Sequence, residues 1–77
     1  MSTSDQNRER FVRVAEKRVN RILRDLDSLE KCSNRRNYLY TDEDVRRIFS
    51  AIERRLREIR SQYQMAGKKD KEFKLKQ

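Results

Sequence analysis

The amino-acid sequence predicts an all-α protein: an antiparallel helical hairpin of two long helices that pairs with a second copy into a four-helix bundle. Three observations predict it. The chain of 77 residues holds no proline and one glycine, Gly67, so it lacks the frequent turn residues that an all-β fold needs. Two apolar series recur at helical spacing. The segment between them, residues 32–40, is rich in turn-forming Ser and Asn.

Composition sets further bounds. This length suffices for one small domain with a thin core. Hydrophobic residues make up 34% of the chain and charged residues 44%. A balance that polar would indicate disorder were the apolar residues not periodic. The formal charge of +8 points to an anionic partner, whether nucleic acid, an acidic protein surface or an anionic membrane. A well-solvated helical surface is the bland alternative. One cysteine rules out an internal disulfide framework. No apolar run approaches the roughly 18 residues of a spanning helix, and MSTSDQNRER lacks the apolar core of a signal peptide. A cytoplasmic protein is the expectation.

The first helix is expected over about 5–31, with Ser4 or Asp5 as a cap. Val12, Ala15, Val19, Ile22, Leu26 and Leu29 step by threes and fours along one face, and Phe11 and Leu23 widen that seam. The opposite face carries Arg13, Lys17, Asn20, Arg21, Arg24, Asp27 and Lys31. Glu9/Arg13, Arg21/Asp25 and Asp27/Lys31 are spaced to pair along the helix. The connection, CSNRRNYLY over 32–40, has Asn34 placed to end the helix in a left-handed cap. Leu39 with Tyr38 and Tyr40 is expected to fold back over the open end of the core.

The second helix, about 42–66, has the clearest start. Thr41 suits the N-cap and Asp44 the third helical position, a capping box with Asp in place of Glu. Tyr40 and Val45 have the spacing of a hydrophobic staple. Asp42, Glu43 and Asp44 complement the positive end of the helix dipole. Val45, Phe49, Ile52, Leu56, Ile59, Tyr63 and Ala66 form the stripe, and Gly67 suits a C-cap. Residues 1–66 thus form the hairpin domain and 67–77 a flexible basic tail, in which Phe73 and Leu75 are the apolar groups. One hairpin leaves Phe11, Leu23, Ile48 and Phe49 uncovered. Burying them calls for a second copy, or for another protein that supplies the missing half.

Chemistry-bearing motifs are few, and the expectation is a protein without catalytic residues, cofactor or metal. The chain has no histidine, no glycine-rich phosphate loop and no metal-ligand spacing. Cys32 has no adjacent base to activate it and reads as a partly buried helix-end residue. Helix capping accounts for the acidic run 42–44 without a metal.

The functional signal is basic. Between residues 45 and 66 six arginines face two glutamates. Arg47, Arg54, Arg57 and Arg60 are expected on outward faces, with Arg46 and Arg55 at the seam edges. The planar guanidinium donates bidentately, which suits phosphate or carboxylate. Pairing of Glu43/Arg47, Glu53/Arg57 and Arg54/Glu58 within the helix is the competing use of these charges. Lys68 and Lys69 extend the basic surface. Arg35 and Arg36, interleaved with Tyr38 and Tyr40, form a second candidate surface for stacking on bases or cradling an acidic peptide. The connection is too long for a DNA-reading helix-turn-helix, so contacts to a nucleic-acid backbone are expected to dominate.

The stretch from Arg10 to Tyr63, and above all NY-x-YT-x-ED-V-x-x-IF-x-AIE over Asn37 to Glu53, resembles small, basic, largely uncharacterised helical proteins encoded in the mobile genetic elements of gut bacteria, conjugative elements and prophages among them. The resemblance implies a bacterial or phage setting and an accessory role. It transfers no site residue. Two function classes follow: a nucleic-acid or nucleoprotein binder, and a protein–protein interaction module such as an inhibitor of a host defence complex of the anti-CRISPR type. A purely structural assembly part is a third.

Overall fold

A computed structural model describes residues 3–72, with side chains as far as residue 67. The described residues are helical apart from one connection, with α1 at Thr3–Lys31 and α2 at Asp42–Glu72. The chain divides into two units, Met1–Leu39 and Tyr40–Gln77, one around each helix.

α1 begins earlier than the spacing predicts. Ser4 and Asp5 therefore lie inside the first turn rather than at a cap, and Asp5 places its negative charge at the positive end of the dipole. Helix ends shift by a residue or two in this way because the terminal turn is held by few bonds.

At its other end α1 closes differently from expectation. Asn34 does not take the left-handed conformation, since no described residue has a positive φ. Instead the last turn tightens. The N–H groups of Cys32, Ser33 and Asn34 donate three residues back, to the carbonyls of Leu29, Glu30 and Lys31, at 2.9, 3.0 and 3.4 Å. Such bonds satisfy the helix-end carbonyls that a glycine cap would otherwise serve. Asn34 then organises the connection. Its Oδ1 accepts from the Arg36 N–H at 2.9 Å, and its carbonyl accepts from the N–H groups of Asn37 and Tyr38 at 3.1 and 3.0 Å. The short amide side chain thus replaces the left-handed backbone as the means of turning.

α2 starts where the sequence predicts. The Asp44 N–H donates to Thr41 Oγ1 at 3.0 Å, and the Thr41 N–H donates to Asp44 Oδ2 at 2.9 Å. Both halves of the capping box are made, with Asp doing what Glu usually does. The Val45 N–H donates to the Thr41 carbonyl at 3.2 Å as the first turn closes. Tyr40 and Val45, the staple pair, are both partly buried.

Gly67 does not end this helix. α2 continues to Glu72, and Gly67 has no positive φ. Glycine inside a helix costs only about 1 kcal/mol relative to alanine. No proline follows to forbid continuation. Phe73 and Leu75 lie outside the described residues, as do the side chains of Lys68 and Lys69.

Among the described residues no hydrophobic side chain is buried. On α1 the partly buried apolar residues are Val12, Val14, Ala15 and Leu29, and on α2 Val45 and Ile52. Phe11, Leu23, Ile48 and Phe49 are between 40% and 51% exposed. Leu39, expected to fold over the end of a core, is 99% exposed. Within the connection the turn bonds run from Asn34 as far as Tyr38, so Leu39 lies beyond the last of them and is not drawn inward. Tyr38 is exposed as well, and of the three residues expected to fold back only Tyr40 is partly covered.

Two substitutions test this account. Thr41→Ala removes the oxygen that accepts from Asp44 and should cost about 1 kcal/mol of stability, read by urea unfolding at fixed protein concentration. Gly67→Ala should stabilise by about 0.5 to 1 kcal/mol. The added methyl meets nothing within 4 Å in a backbone that alanine prefers. A left-handed cap at Gly67 would give the opposite sign.

Candidate polyanion-binding surfaces

The arginines of α2 occupy a continuous α-helix, so their placement follows from its turn of about 100° per residue. Arg47 and Arg54, seven apart, lie on one outward line. The steps of three to Arg57 and then Arg60 each rotate the position by about 60° backwards. Arg57 therefore stays on the polar side, whereas Arg60 comes round beside Phe49 at the edge of the apolar stripe. The outward face that the sequence suggests for all four is shared by three.

Four of the six α2 arginines are engaged locally. Glu43 accepts from both Arg46 Nη2 at 2.7 Å and Arg47 Nε at 3.2 Å. Glu58 lies 3.2 Å from Arg55 Nη1 and 3.7 Å from Arg54 Nε. The pairs Glu43/Arg47 and Arg54/Glu58 are thus formed as their spacing predicts. Glu53/Arg57 is not. Arg57 and Arg60 form no ion pair with another described residue. All four pairs are more than half exposed on the carboxylate side, so each is worth a few tenths of a kcal/mol to the helix. A passing phosphate can compete for such guanidinium groups, at the cost of freeing the carboxylate.

In the connection, Arg35, Arg36 and Tyr38 are all exposed. The Asn34-centred turn holds the Arg36 backbone and leaves its side chain outward. Cys32 is exposed rather than partly buried, since one step past Lys31 it stands on the side away from the apolar stripe. Its thiol is 3.9 Å from the Ser28 carbonyl, a weak contact.

The face of α1 opposite its apolar stripe, which the sequence marks as charged but not as a binding surface, is a further candidate. Along it runs a shallow depression of about 350 Å3, lined by Arg13, Val14, Lys17, Arg18 and Arg21. The expected pairs Glu9/Arg13, Arg21/Asp25 and Asp27/Lys31 are not formed, and no ion pair joins these cations to a described residue. The signal that finds this surface is the threes-and-fours spacing of cations, the same rule that finds an apolar stripe.

Among the described residues no group of three His, Cys, Asp or Glu is placed to hold a metal ion. The acidic run has other partners: Asp44 closes the cap and Glu43 bridges two arginines. No helix of the described residues is long and apolar enough to cross a membrane. No protein-family model, curated protein or solved structure matches the chain. What the fold and its surfaces define is an all-α chain of two amphipathic helices with basic polar faces.

Proposed function

We propose that this is a non-catalytic accessory protein of a mobile genetic element, acting in the cytoplasm, that binds nucleic acid or a nucleoprotein complex through the cationic outer faces of its helices. The observation that carries the reading is the combination of a +8 charge with arginines at helical register that lack, or only share, a carboxylate. Phosphate contact by charge requires no cofactor and no shaped cavity, only cations held in a row at the surface.

The reading includes an assembly. Each helix displays an apolar stripe with no buried member, and stripes of this length are stabilised by packing on another apolar surface. In the proposed assembly the two helices form an antiparallel hairpin, and Phe11, Leu23, Ile48 and Phe49 pack against a second copy to complete a four-helix bundle. The basic faces then point outward.

One observation favours a second reading, a protein–protein interaction module such as an inhibitor of a host defence complex. Leu39 is almost wholly exposed beside the arginine pair 35–36, an arrangement that fits an acidic protein patch with an apolar centre. A protein partner that co-purifies after nuclease treatment, together with an absence of nucleic-acid binding, would support it.

The experiment is a binding titration of the purified protein with random-sequence duplex DNA and single-stranded RNA across a salt series. The proposed function predicts that log affinity falls linearly with log salt at a slope steeper than about −3, since each phosphate contact contributes about −0.9 on duplex and about −0.7 on single strands. Salt-independent or undetectable binding to both would contradict it.

A further inference from the structure

The α1 polar face is ordered in a way that its net charge conceals. Arg10, Arg13, Lys17, Arg21 and Arg24 step by threes and fours, and Lys31 follows seven residues later. At about 100° per residue these six cations fall within an arc of about 80°. That arc lies roughly opposite the stripe of Val12, Ala15, Val19, Ile22, Leu26 and Leu29. Arg10 to Arg24 span about 21 Å at about 1.5 Å per residue. No acidic residue of the helix falls in the arc; the other residues that share it, Thr3, Gln6 and Ser28, are uncharged. Asp5, Glu9, Glu16 and Asp27 gather along one flank, between the ridge and the apolar stripe, Glu30 stands at that edge of the stripe in line with Val12, and Asp25 sits on the other flank.

We infer that this ridge on α1, rather than the arginine face of α2, is the principal contact surface for nucleic-acid phosphates. The inference rests on the function proposed above and deepens it. The α2 arginines 46, 47, 54 and 55 share Glu43 and Glu58, so a phosphate must displace a carboxylate to reach them. The ridge cations have no such competitor. A row of four arginines and two lysines matches a polyanion, because each planar arginine fork engages a separate phosphate.

Charge order also discriminates among partners. Val14, which lines the depression with Arg13, Lys17 and Arg21, is the apolar side chain nearest the ridge, and one valine is too small for the apolar centre of a protein interface. An anionic membrane would engage the apolar stripe and press its flanks against the headgroups. One of those flanks carries Glu16, with Glu30 at the adjoining edge of the stripe, and an anionic surface repels both. The ridge, on the far side, would face water. A nucleic acid can use the ridge while the stripe is covered.

The test compares two double charge reversals of equal charge change, Arg13→Glu/Arg21→Glu on α1 and Arg54→Glu/Arg57→Glu on α2. Affinity for a random-sequence duplex and for single-stranded RNA is read by fluorescence anisotropy over about 50 to about 300 mM salt. Circular dichroism and sedimentation confirm that helicity and mass are retained. Arg13→Gln/Arg21→Gln, which only neutralises, serves if the reversal perturbs the fold. The α1 reversal should weaken binding at least about tenfold more than the α2 reversal and flatten the log–log slope by about 2, one for each phosphate that is no longer neutralised. Equal losses, or a larger loss on α2, would overturn the ridge assignment and leave nucleic-acid binding intact. Failure of the unsubstituted protein to bind either nucleic acid, with or without binding to anionic vesicles, would overturn the proposed function and the ridge together.

Discussion

An apolar stripe that must be covered is the constraint on which the rest of this structure depends. Each helix concentrates its Ile, Leu, Phe and Tyr and all its Val but Val14 on one side, and among the described residues none of them is buried. Local forces can start and stop these helices. The Thr41–Asp44 box, the tightened end of α1 and the exposed ion pairs each contribute about 1 kcal/mol or less. Burial of a single large apolar side chain is worth about 1.5 to 3 kcal/mol. The stripes therefore outweigh the caps, and what covers them decides whether the chain is stably folded.

The same segregation orders the charges. Once one side of each helix is apolar, cations and acids share what remains, and the two helices solve this differently. α2 sets Glu43 and Glu58 among its arginines, so much of its positive charge is answered within one turn. α1 keeps its acids to the flanks and leaves a row of cations opposite the stripe. The functional proposal follows from this contrast, since a polyanion binds most readily where no carboxylate must be displaced first.

Local features were the legible ones. The start of α2 could be read from Thr41, Asp44, Tyr40 and Val45 because a cap depends on residues three or four apart. Helix ends were harder. Asn34 and Gly67 are both residues that tolerate the left-handed conformation, yet neither adopts it. Tolerance is not demand: a 3₁₀-type turn closes α1, and α2 runs on past its glycine. Exposure at Leu39 was beyond reach too, because it depends on how the chain leaves the Asn34 turn. In the candidate site, Glu43/Arg47 and Arg54/Glu58 follow from spacing while Glu53/Arg57 does not form, and the α1 cations, legible as the face opposite the stripe, stand out as a binding surface only once the acids around them are placed on the helix. α1 has eight cations against six acids, a modest excess when summed and a sharp one when placed on the helix surface.

The central claim, that these helices are stabilised by covering their apolar stripes in a pairing of two copies, is tested most directly by following helicity and mass together. Circular dichroism at 222 nm and sedimentation equilibrium would be recorded over a wide range of protein concentration. The account predicts that the mass approaches twice the 9.5 kDa of one chain as concentration rises, with helicity and melting temperature rising alongside it. A chain that stays monomeric and fully helical, with a melting temperature independent of concentration, would contradict it.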